Sequence, residues 1–256
     1  MRDAAGAGVL TRSSSVEDES RSEARSVQMS LLPKCSLLGL NFEVAFRFSP
    51  LENVGGDFAD FFLLPNGHVG IYVGDVVGKG LTAAMYAALV MGTLRGTNKT
   101  GEDPASVLAL VNKRLLVRPV PDRYSCTLYA DYDPETRQLA FSNAGEPFPL
   151  LSSQAGCCSI GEGGIPSGLF PGVAYDTYRI KLETGDAVLF STDGLHELRN
   201  AKNEDLSWNM LGEFWKHARH KSADEALDHL FESIHPYAAD GRRQDDITAV
   251  ALKITG

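Results

Sequence analysis

The sequence lacks an excess of positive charge. Its 256 residues include 24 Lys and Arg against 33 Asp and Glu, which gives a formal net charge of -9. Proteins that bind nucleic acid through its phosphates usually carry a basic excess or a basic stripe, and neither is visible here. We therefore expect no nucleic-acid partner. The acidic residues instead recur singly at the ends of apolar segments, a pattern that suits cation binding as well as solubility.

Cysteine motifs and long apolar runs are also missing. The four cysteines form no C-x-x-C pair and show no zinc-like spacing, so we interpret them as reduced thiols; they are Cys35, Cys126, Cys157 and Cys158. No apolar run is long enough to span a bilayer, and the N-terminal segment lacks the apolar stretch of a signal peptide. These features predict a soluble, cytoplasmic protein that does not bind membranes.

The first residues differ in composition from the rest of the chain. Residues 1 to about 25 are rich in Ser, Arg, Glu and small side chains and can bury little surface, so we expect 1–27 to be disordered or loosely helical. A short helix near 26–32, ended by Pro33, is the expected linker into a single domain over 28–256. With 43% hydrophobic residues, the chain can build a core of that size.

The apolar patterns predict paired helices around antiparallel strands. The turn at 65–67, Pro-Asn-Gly, predicts a hairpin that brings the strand carrying Asp57 onto the strand that ends at Asp75. Helical patterns cover 81–94 and 104–116, then 208–218 and 222–234, and several strands with short turns lie between these pairs. Asp103 before Pro104 is the predicted N-cap of the second helix, and Ser222 and Glu225 are a predicted capping box at the start of the last one. We therefore expect an α+β fold in which two early and two late helices flank an antiparallel double sheet.

Four acidic sites share one context, the edge of a predicted strand: Asp57, Asp75, Asp193 and the pair Asp245 and Asp246. Each alone is an ordinary aspartate at a strand end. Together they suggest an all-oxygen site for hard divalent cations, Mn²⁺ or Mg²⁺, because no matching His or Cys cluster accompanies them. Two such ions, about 3.5 to 4 Å apart, would lower the pKa of a bridging water and hold a phosphoryl group. The implied reaction is hydrolysis of a phosphate ester.

Two other motifs fit this interpretation less well. The segment 74–80 resembles a phosphate-binding loop, but only three residues separate Gly74 from Gly78, and Gly80 stands where that motif has a Ser or Thr. The segment 55–58, Gly-Gly-Asp-Phe, resembles a diguanylate cyclase signature, which has a Glu before the Phe. A cyclase would leave the later aspartates unexplained, so we keep it only as an enzymatic alternative.

Five motifs in order resemble one family of enzymes. They read VGGDFADF at 54–61, GDVVGKG at 74–80, SNAG at 142–145, STDGLHE at 191–197 and DDITAV at 245–250. Their order and spacing are similar to those of bacterial metal-dependent serine phosphatases of the stage II sporulation protein E and sigma-B regulator type. That family belongs to the PPM superfamily, and the resemblance covers roughly residues 28–256.

The resemblance implies a fold, a cofactor and a set of roles. The fold would be a four-layer α-β-β-α sandwich with two central antiparallel sheets, and the cofactor would be two divalent cations. Asp75 would bridge the metals and the Val76 carbonyl would be a further ligand, while Asp193 and Asp245 would bind the second ion. Asp57 would hold metal-bound water, and Asp246 is a further candidate ligand.

The resemblance also implies the reaction and the partner. A bridging metal-bound hydroxide would attack phosphoserine or phosphothreonine on a protein, such as an anti-sigma factor antagonist, without a phosphoenzyme. The four catalytic aspartates, Asp57, Asp75, Asp193 and Asp245, would act through that metal-bound water. The helix near 26–32 resembles the family's regulatory linker, and a homodimer through it is left open.

Two positions depart from the family pattern. Glu146 stands where many relatives have a histidine, and Val77 stands where eukaryotic relatives have a histidine that could protonate the leaving group. If the first histidine contributes to activity or docking, this chain lacks that function. The alternative is therefore a catalytically weak phosphoprotein-binding module, or pseudophosphatase. The intact aspartates favour an active enzyme.

Three further predictions concern residues near the motifs. Lys79 is expected to be a solvated loop charge, and Trp208 and Trp215 are expected to serve core or groove packing. His196 lies three residues after Asp193 and is a candidate neighbour of the site. The glycine-rich segment 161–172 is either a flap beside the site or a plain connector.

Overall fold

A computed structural model describes residues 20–97, 101–200, 202–238 and 243–256. Residues 1–19, the larger part of the segment predicted to be disordered or loosely helical, lie outside this description. Helix α1 covers residues 20–31, so it includes most of the short helix predicted near 26–32. The division of the chain near residue 28 stays a prediction.

The first sheet places the first long strand beside the last one. Its order is β1-β2-β11-β10-β7-β8, and all of its pairs are antiparallel. The strands are β1 (Leu37–Leu38), β2 (Phe42–Ser49), β7 (Leu150–Ser153), β8 (Gly156–Ser159), β10 (Ala187–Ser191) and β11 (Ile247–Ile254). Strand β11 pairs with β2 along its whole length, from Ile247 opposite Ser49 to Ile254 opposite Phe42.

The second sheet contains the predicted hairpin. Its order is β3-β4-β5-β6-β9, again antiparallel throughout. The strands are β3 (Phe58–Leu63), β4 (Val69–Val76), β5 (Ser125–Asp133), β6 (Gln138–Ala144) and β9 (Tyr178–Lys181). Phe58 lies opposite Gly74 and Leu63 opposite Val69, which confirms the hairpin and sets Asp57 across from Asp75.

Helices cover both outer faces of the two sheets. Helices α2 (Gly80–Thr97) and α3 (Pro104–Leu115) pack on the second sheet, and α5 (Trp208–Trp215) and α6 (Ala223–Ala238) pack on the first. Helix α4 (Asp193–His196) is a single turn, and a 3₁₀ turn covers Ala218–His220. None of the helices in the described ranges has both the length and the apolar character needed to cross a bilayer.

The two predicted helix caps differ in outcome. At the start of α6, the Ser222 N–H donates to Glu225 Oε2 at 3.0 Å and the Glu225 N–H donates to Ser222 Oγ at 3.3 Å, which confirms the capping box. At the start of α3, the Asp103 side chain makes no cap hydrogen bond and instead accepts from Thr177 Oγ1 at 2.5 Å. Asp103 therefore occupies the predicted N-cap position before Pro104, but its carboxylate does not cap the helix because it has a partner in the segment before β9.

Three layers of buried side chains separate the four layers of backbone. One lies between the sheets and includes Val73, Phe141 and Phe190; the other two lie between each sheet and its helices. Strand β11 shows the alternation: Val250 and Leu252 face the other sheet, whereas Ala249 and Ala251 face the helices. The α+β four-layer sandwich expected from the sequence is confirmed.

Candidate metal centre

Four strand ends meet at one end of the sandwich. In one sheet β3 begins after Asp57 and β4 ends at Val76; in the other β10 ends at Ser191 and β11 begins at Ile247. The two sheets are joined there by Thr192, whose hydroxyl donates to Asp57 Oδ2 at 2.8 Å and whose N–H donates to the Thr248 carbonyl at 3.1 Å. The arrangement therefore gathers aspartates from distant parts of the chain.

Asp57 and Asp75 both have pKa values above the usual range for aspartate. Asp57 is 1% exposed, and burial together with the charge of Asp75 raises its pKa well above the usual range. Burial raises the pKa of Asp75 to about 8, with further contributions from the charges of Asp193 and Asp245. Carboxylates shift in this direction when they are buried close to one another without a compensating cation.

Asp193 and Asp245 complete the mutual repulsion. Asp193 opens α4 directly after β10, and burial, followed by the charges of Glu197 and Asp245, raises its pKa to about 6. Asp245 lies two residues before β11 and its side chain is 29% exposed. The structure thus brings Asp57, Asp75, Asp193 and Asp245 into one electrostatic neighbourhood, and their role as metal ligands stays a prediction.

Asp246 is turned toward a neighbouring loop. Its Oδ1 accepts from the Leu51 N–H at 2.7 Å, and its Oδ2 lies so close to Gly55 that a Cβ there would sit 1.5 Å away. Only glycine at position 55 leaves room for this carboxylate. Asp246 therefore fixes the loop that leads to Asp57, in addition to adding negative charge.

Two of the expected oxygen donors face the same space beside Gly56. A Cβ at position 56 would lie 2.4 Å from Asp75 Oδ1 and 2.8 Å from the Val76 carbonyl oxygen. A side chain there would displace one or both oxygens. The absent side chain leaves a recess bordered by a carboxylate and a backbone carbonyl, the two kinds of donor that hard cations prefer.

The aspartates supply the oxygen atoms that divalent cations prefer, but their side chains are not arranged to hold a metal ion. Within the described ranges, no three His, Cys, Asp or Glu side chains are arranged so that they could hold a metal ion as they stand. The buried carboxylates nevertheless repel one another strongly enough to raise their pKa values. A bound cation would offset this repulsion, so the residues present suit Mg²⁺ or Mn²⁺.

Lys79 is a neighbour of this centre whose role differs from the one predicted. Its ammonium lies 3.6 Å from Asp245 Oδ2 and also donates to the Gln244 carbonyl. The side chain is 49% exposed, so it is partly solvated as predicted, but it is also paired with a candidate ligand. Its partners are far away in sequence, and no local pattern could have indicated them.

Glu146 is a second neighbour whose location was missed. Its side chain is 5% exposed and lies close to Asp57, Asp75 and Asp193. Its Oε1 accepts from the Asp75 N–H at 2.9 Å. In the sequence this position stands out only as a departure from a family pattern; in the structure the buried carboxylate is part of the centre's surroundings.

His196 supports the turn that carries Asp193. Its Nε2 lies 3.0 Å from Ser191 Oγ, and its ring packs against Trp208 with centroids 4.4 Å apart. Burial lowers the pKa of His196 to about 4, so the ring is neutral near pH 7. Trp215 is fully buried against the first sheet, which confirms its predicted packing role.

The segment between Gly161 and Gly172 pairs with Ser125, the first residue of β5, which lies opposite Val76 at the end of β4. The backbones of Ser167 and Ser125 exchange hydrogen bonds of 2.8 and 2.9 Å, and Asn112 on α3 binds the segment through Gly168 and Phe170. It is therefore tied to the body of the domain at several points along its length.

The family is shown by a sequence comparison. The family model described as Stage II sporulation protein E (SpoIIE) matches residues 65–255. The chain belongs to this family. The match begins in the turn between β3 and β4, so it includes β4 to β11 and all of the acidic positions except Asp57. It confirms the resemblance to PPM-type phosphatases expected from the five motifs.

Two curated relatives extend the likeness across most of the chain. Protein IcfG of Synechocystis is 26% identical over 259 residues, covering 90% of this chain and 40% of the relative. Phosphoserine phosphatase RsbU of Bacillus subtilis is 24% identical over 206 residues, covering 80% of this chain and 61% of the relative. The chain therefore spans less than two thirds of the length of either one.

A solved structure matches the whole SpoIIE-family fold. The SiaA-PP2C domain of Pseudomonas aeruginosa superposes with a TM-score of 0.82 at 20% identity, covering 98% of this chain and 100% of that domain. At this level of identity the likeness establishes the fold. It agrees with the two antiparallel sheets and flanking helices described above.

Proposed function

We propose that this chain is a metal-dependent protein phosphatase that hydrolyses phosphoserine or phosphothreonine on a protein substrate. The observation that carries the proposal is the group of carboxylates gathered at the strand ends, where burial and mutual repulsion raise the pKa of Asp75 to about 8 and that of Asp193 to about 6. Membership of the SpoIIE family supports the same chemistry.

The proposed ligands are those that the family resemblance implies. Asp75 and the Val76 carbonyl border one recess, and Asp193 and Asp245 lie on the side of the other sheet. When bound, divalent cations at these groups would activate water and neutralise the charge of a phosphoryl group. Asp57, which accepts a hydrogen bond from the Thr192 hydroxyl, would orient water inside the centre.

The substrate class is inferred from a relative and from the motifs. RsbU is named a phosphoserine phosphatase, and its likeness to this chain supports a phosphoserine protein as substrate. An anti-sigma factor antagonist is the specific partner we propose. A catalytically weak module that only binds a phosphoprotein is the alternative, and it would need no metal-dependent turnover.

The deciding experiment is phosphate release from a phosphoserine protein of the anti-sigma factor antagonist class, with Mn²⁺, with Mg²⁺ and with a chelator. We expect release that depends on the metal and falls by about a thousandfold or more in Asp193→Ala. Asp228→Ala is the matched control, because Asp228 lies on α6 and pairs with Arg47 on the surface.

Two outcomes would contradict the proposal. If the wild type binds the substrate but releases no phosphate under any metal condition, the binding module is the better description. If Asp193→Ala keeps its activity, the assignment of Asp193 to a metal is wrong.

Domain extent, oligomeric state and location complete the proposal. We infer one catalytic domain over 28–256, preceded by the linker helix, in a cytoplasmic protein. Apolar side chains on α1 and α2 are exposed, among them Val27, Met85 and Leu89, which supports a homodimer through the linker helix.

A further inference from the structure

Glu146 is held rigidly in the loop between β6 and β7. The Asn143 side chain binds it twice: Asn143 Nδ2 donates to the Glu146 carbonyl at 2.8 Å, and the Glu146 N–H donates to Asn143 Oδ1 at 2.8 Å. All of these groups are buried. The two bonds fix the point from which the Glu146 side chain leaves the backbone.

The carboxylate of Glu146 reaches the backbone of the candidate metal centre. The Asp75 N–H donates to Glu146 Oε1 at 2.9 Å, joining residues that are 71 positions apart. Asp75 and Val76 are the last two residues of β4. The hydrogen bond therefore holds the backbone of Asp75 itself, the residue that carries the carboxylate and precedes the Val76 carbonyl.

A carboxylate is an unfavourable choice at this position unless its hydrogen bond matters. Glu146 is 5% exposed, and its carboxyl group lies close to those of Asp193, Asp75 and Asp57. An apolar side chain would avoid placing a further carboxyl group there, but it would leave the partly buried Asp75 N–H without this acceptor. The acceptor is thus kept although burying another carboxyl group beside these aspartates is costly.

We propose that Glu146 is a positioning residue of the metal centre, which holds the Asp75 N–H so that the Asp75 carboxylate and the Val76 carbonyl face the same cation. This inference rests on the metal site of the proposed function. It gives a role to the position at which the chain has glutamate and many relatives have histidine.

The test compares two uncharged side chains of similar length. Glu146→Gln keeps an oxygen that can accept from the Asp75 N–H, whereas Glu146→Met has no such acceptor. We expect Mn²⁺ binding, measured by calorimetry on the whole chain, to weaken by about tenfold or more in Glu146→Met and by less than about threefold in Glu146→Gln, since residues that orient metal ligands have effects of this size.

The control uses the same kind of bond elsewhere. Glu43 Oε2 accepts from the Ala223 N–H at 2.8 Å, and Glu43 lies opposite Lys253, at the end of β11 away from the centre. Glu43→Met and Glu43→Gln should leave the Kd for Mn²⁺ unchanged. Thermal melting without metal shows separately how much each variant is destabilised.

Three results would overturn the inference. If Mn²⁺ binding weakened equally in Glu146→Gln and Glu146→Met, the charge of Glu146 or its direct ligation of the metal would explain the loss, not its hydrogen bond to the Asp75 N–H. An unchanged Kd in both variants, with lower melting temperatures, would reduce Glu146 to a structural role. If wild-type protein binds no Mn²⁺, the metal site itself fails, and that result is distinct from the first two.

Discussion

The two ends of strand β11 carry buried charges that the protein treats in opposite ways. Just before the strand, Asp245 and Asp246 join other carboxylates, and burial and mutual repulsion raise the pKa of Asp57, Asp75 and Asp246. Near the other end, Lys253 is 5% exposed, and its ammonium donates to the carbonyls of Gly185, Ala218 and Arg219.

The difference lies in what surrounds each charge. The Lys253 ammonium has three donors and three carbonyl acceptors at 2.6 to 3.3 Å, so the fold itself satisfies it. The carboxylates face one another, and the fold supplies too little positive charge to balance them. Buried groups that are fully paired stabilise a fold, whereas groups that repel one another identify a place for a ligand.

The largest expected effect is that of Asp75→Asn, which should lower activity but raise the stability of the metal-free protein. Asp75→Asn should lower metal-dependent phosphate release by about a thousandfold or more, because it removes the carboxylate proposed to bridge the metals. At pH 8 and without metal, the same variant should be more stable than wild type, because one repelling charge is gone. Phosphate release and urea unfolding in chelator measure the two effects.

A lower stability for metal-free Asp75→Asn would break the comparison. It would mean that the carboxylate is already satisfied by the fold, as the Lys253 ammonium is.

Lys253→Met should show the reverse combination. Three buried carbonyls would lose their donor, and we expect the free energy of unfolding to fall by about 1–3 kcal/mol. The rate of phosphate release per folded molecule should stay within about twofold, since Lys253 is at the far end of β11. Urea unfolding and a phosphate assay on the same preparations provide both numbers.

Lys181→Met is the control for that change, because Lys181 is exposed on β9. If Lys253→Met were as stable as Lys181→Met, the hydrogen bonds from the Lys253 ammonium to its three carbonyl acceptors would contribute nothing to the stability of the fold.

The carboxylates near the start of β11 should set the pH dependence of the stability of the metal-free protein. In the folded protein the pKa of Asp193 is raised to about 6 and that of Asp75 to about 8, so between pH 5 and 8 the folded state holds protons that the unfolded state has released. Stability contributed by these protonated groups is lost as the pH rises through their folded pKa values. Burial lowers the pKa of His196 to about 4, so His196 makes stability rise with pH up to its unfolded pKa of about 6.5. Above that value this opposing effect ends, and we expect a loss of at least about 1 kcal/mol between pH 7 and pH 9 in chelator.

Asp75→Asn should flatten this profile, and saturating Mn²⁺ should reverse it, because a cation favours the ionised carboxylates. Chemical unfolding at several pH values checks both statements. A wild-type profile that is flat or rises between about pH 7 and pH 9 would contradict the assigned repulsion.

The smallest effect concerns Lys79, a cation that pairs with Asp245 at the edge of the carboxylates. Its ammonium competes with a metal for Asp245, but an exposed pair of this kind contributes less than about 1 kcal/mol. Lys79→Gln should therefore bind Mn²⁺ about two- to fivefold more tightly. Calorimetry measures the change, with Lys181→Gln as control; weaker binding in Lys79→Gln would show that Lys79 assists the centre.

Local patterns explain which parts of this structure could be predicted. The Pro-Asn-Gly turn and the capping box at Ser222 depend on neighbouring residues, and both were recognised. The acidic positions were found because each follows or precedes an apolar strand. Their convergence was inferred from chemistry and from a family resemblance, because strand order cannot be read from any single segment.

Long-range partners explain what was missed. The Asp103 side chain bonds to Thr177, 74 residues away, and Glu146 bonds to Asp75 across 71 residues. Lys79 contacts a carbonyl 165 residues away. In each case a charged side chain has a partner in another layer or loop, and nothing in its own segment indicates that partner. Only the packing of the two sheets shows these contacts.

The hydrogen bond from the Thr192 hydroxyl to Asp57 can form only when the two sheets pack together, so the carboxylate centre depends on that packing. The hydroxyl connects the sheets by binding Asp57 across 135 residues, and Asp246 binds the Leu51 N–H across 195. Contacts between such distant positions form late, because the loops that they close are long. A chain with only one sheet assembled has only half of the four aspartates, Asp57 with Asp75 or Asp193 with Asp245. We therefore predict that uptake of a divalent cation marks the completion of folding.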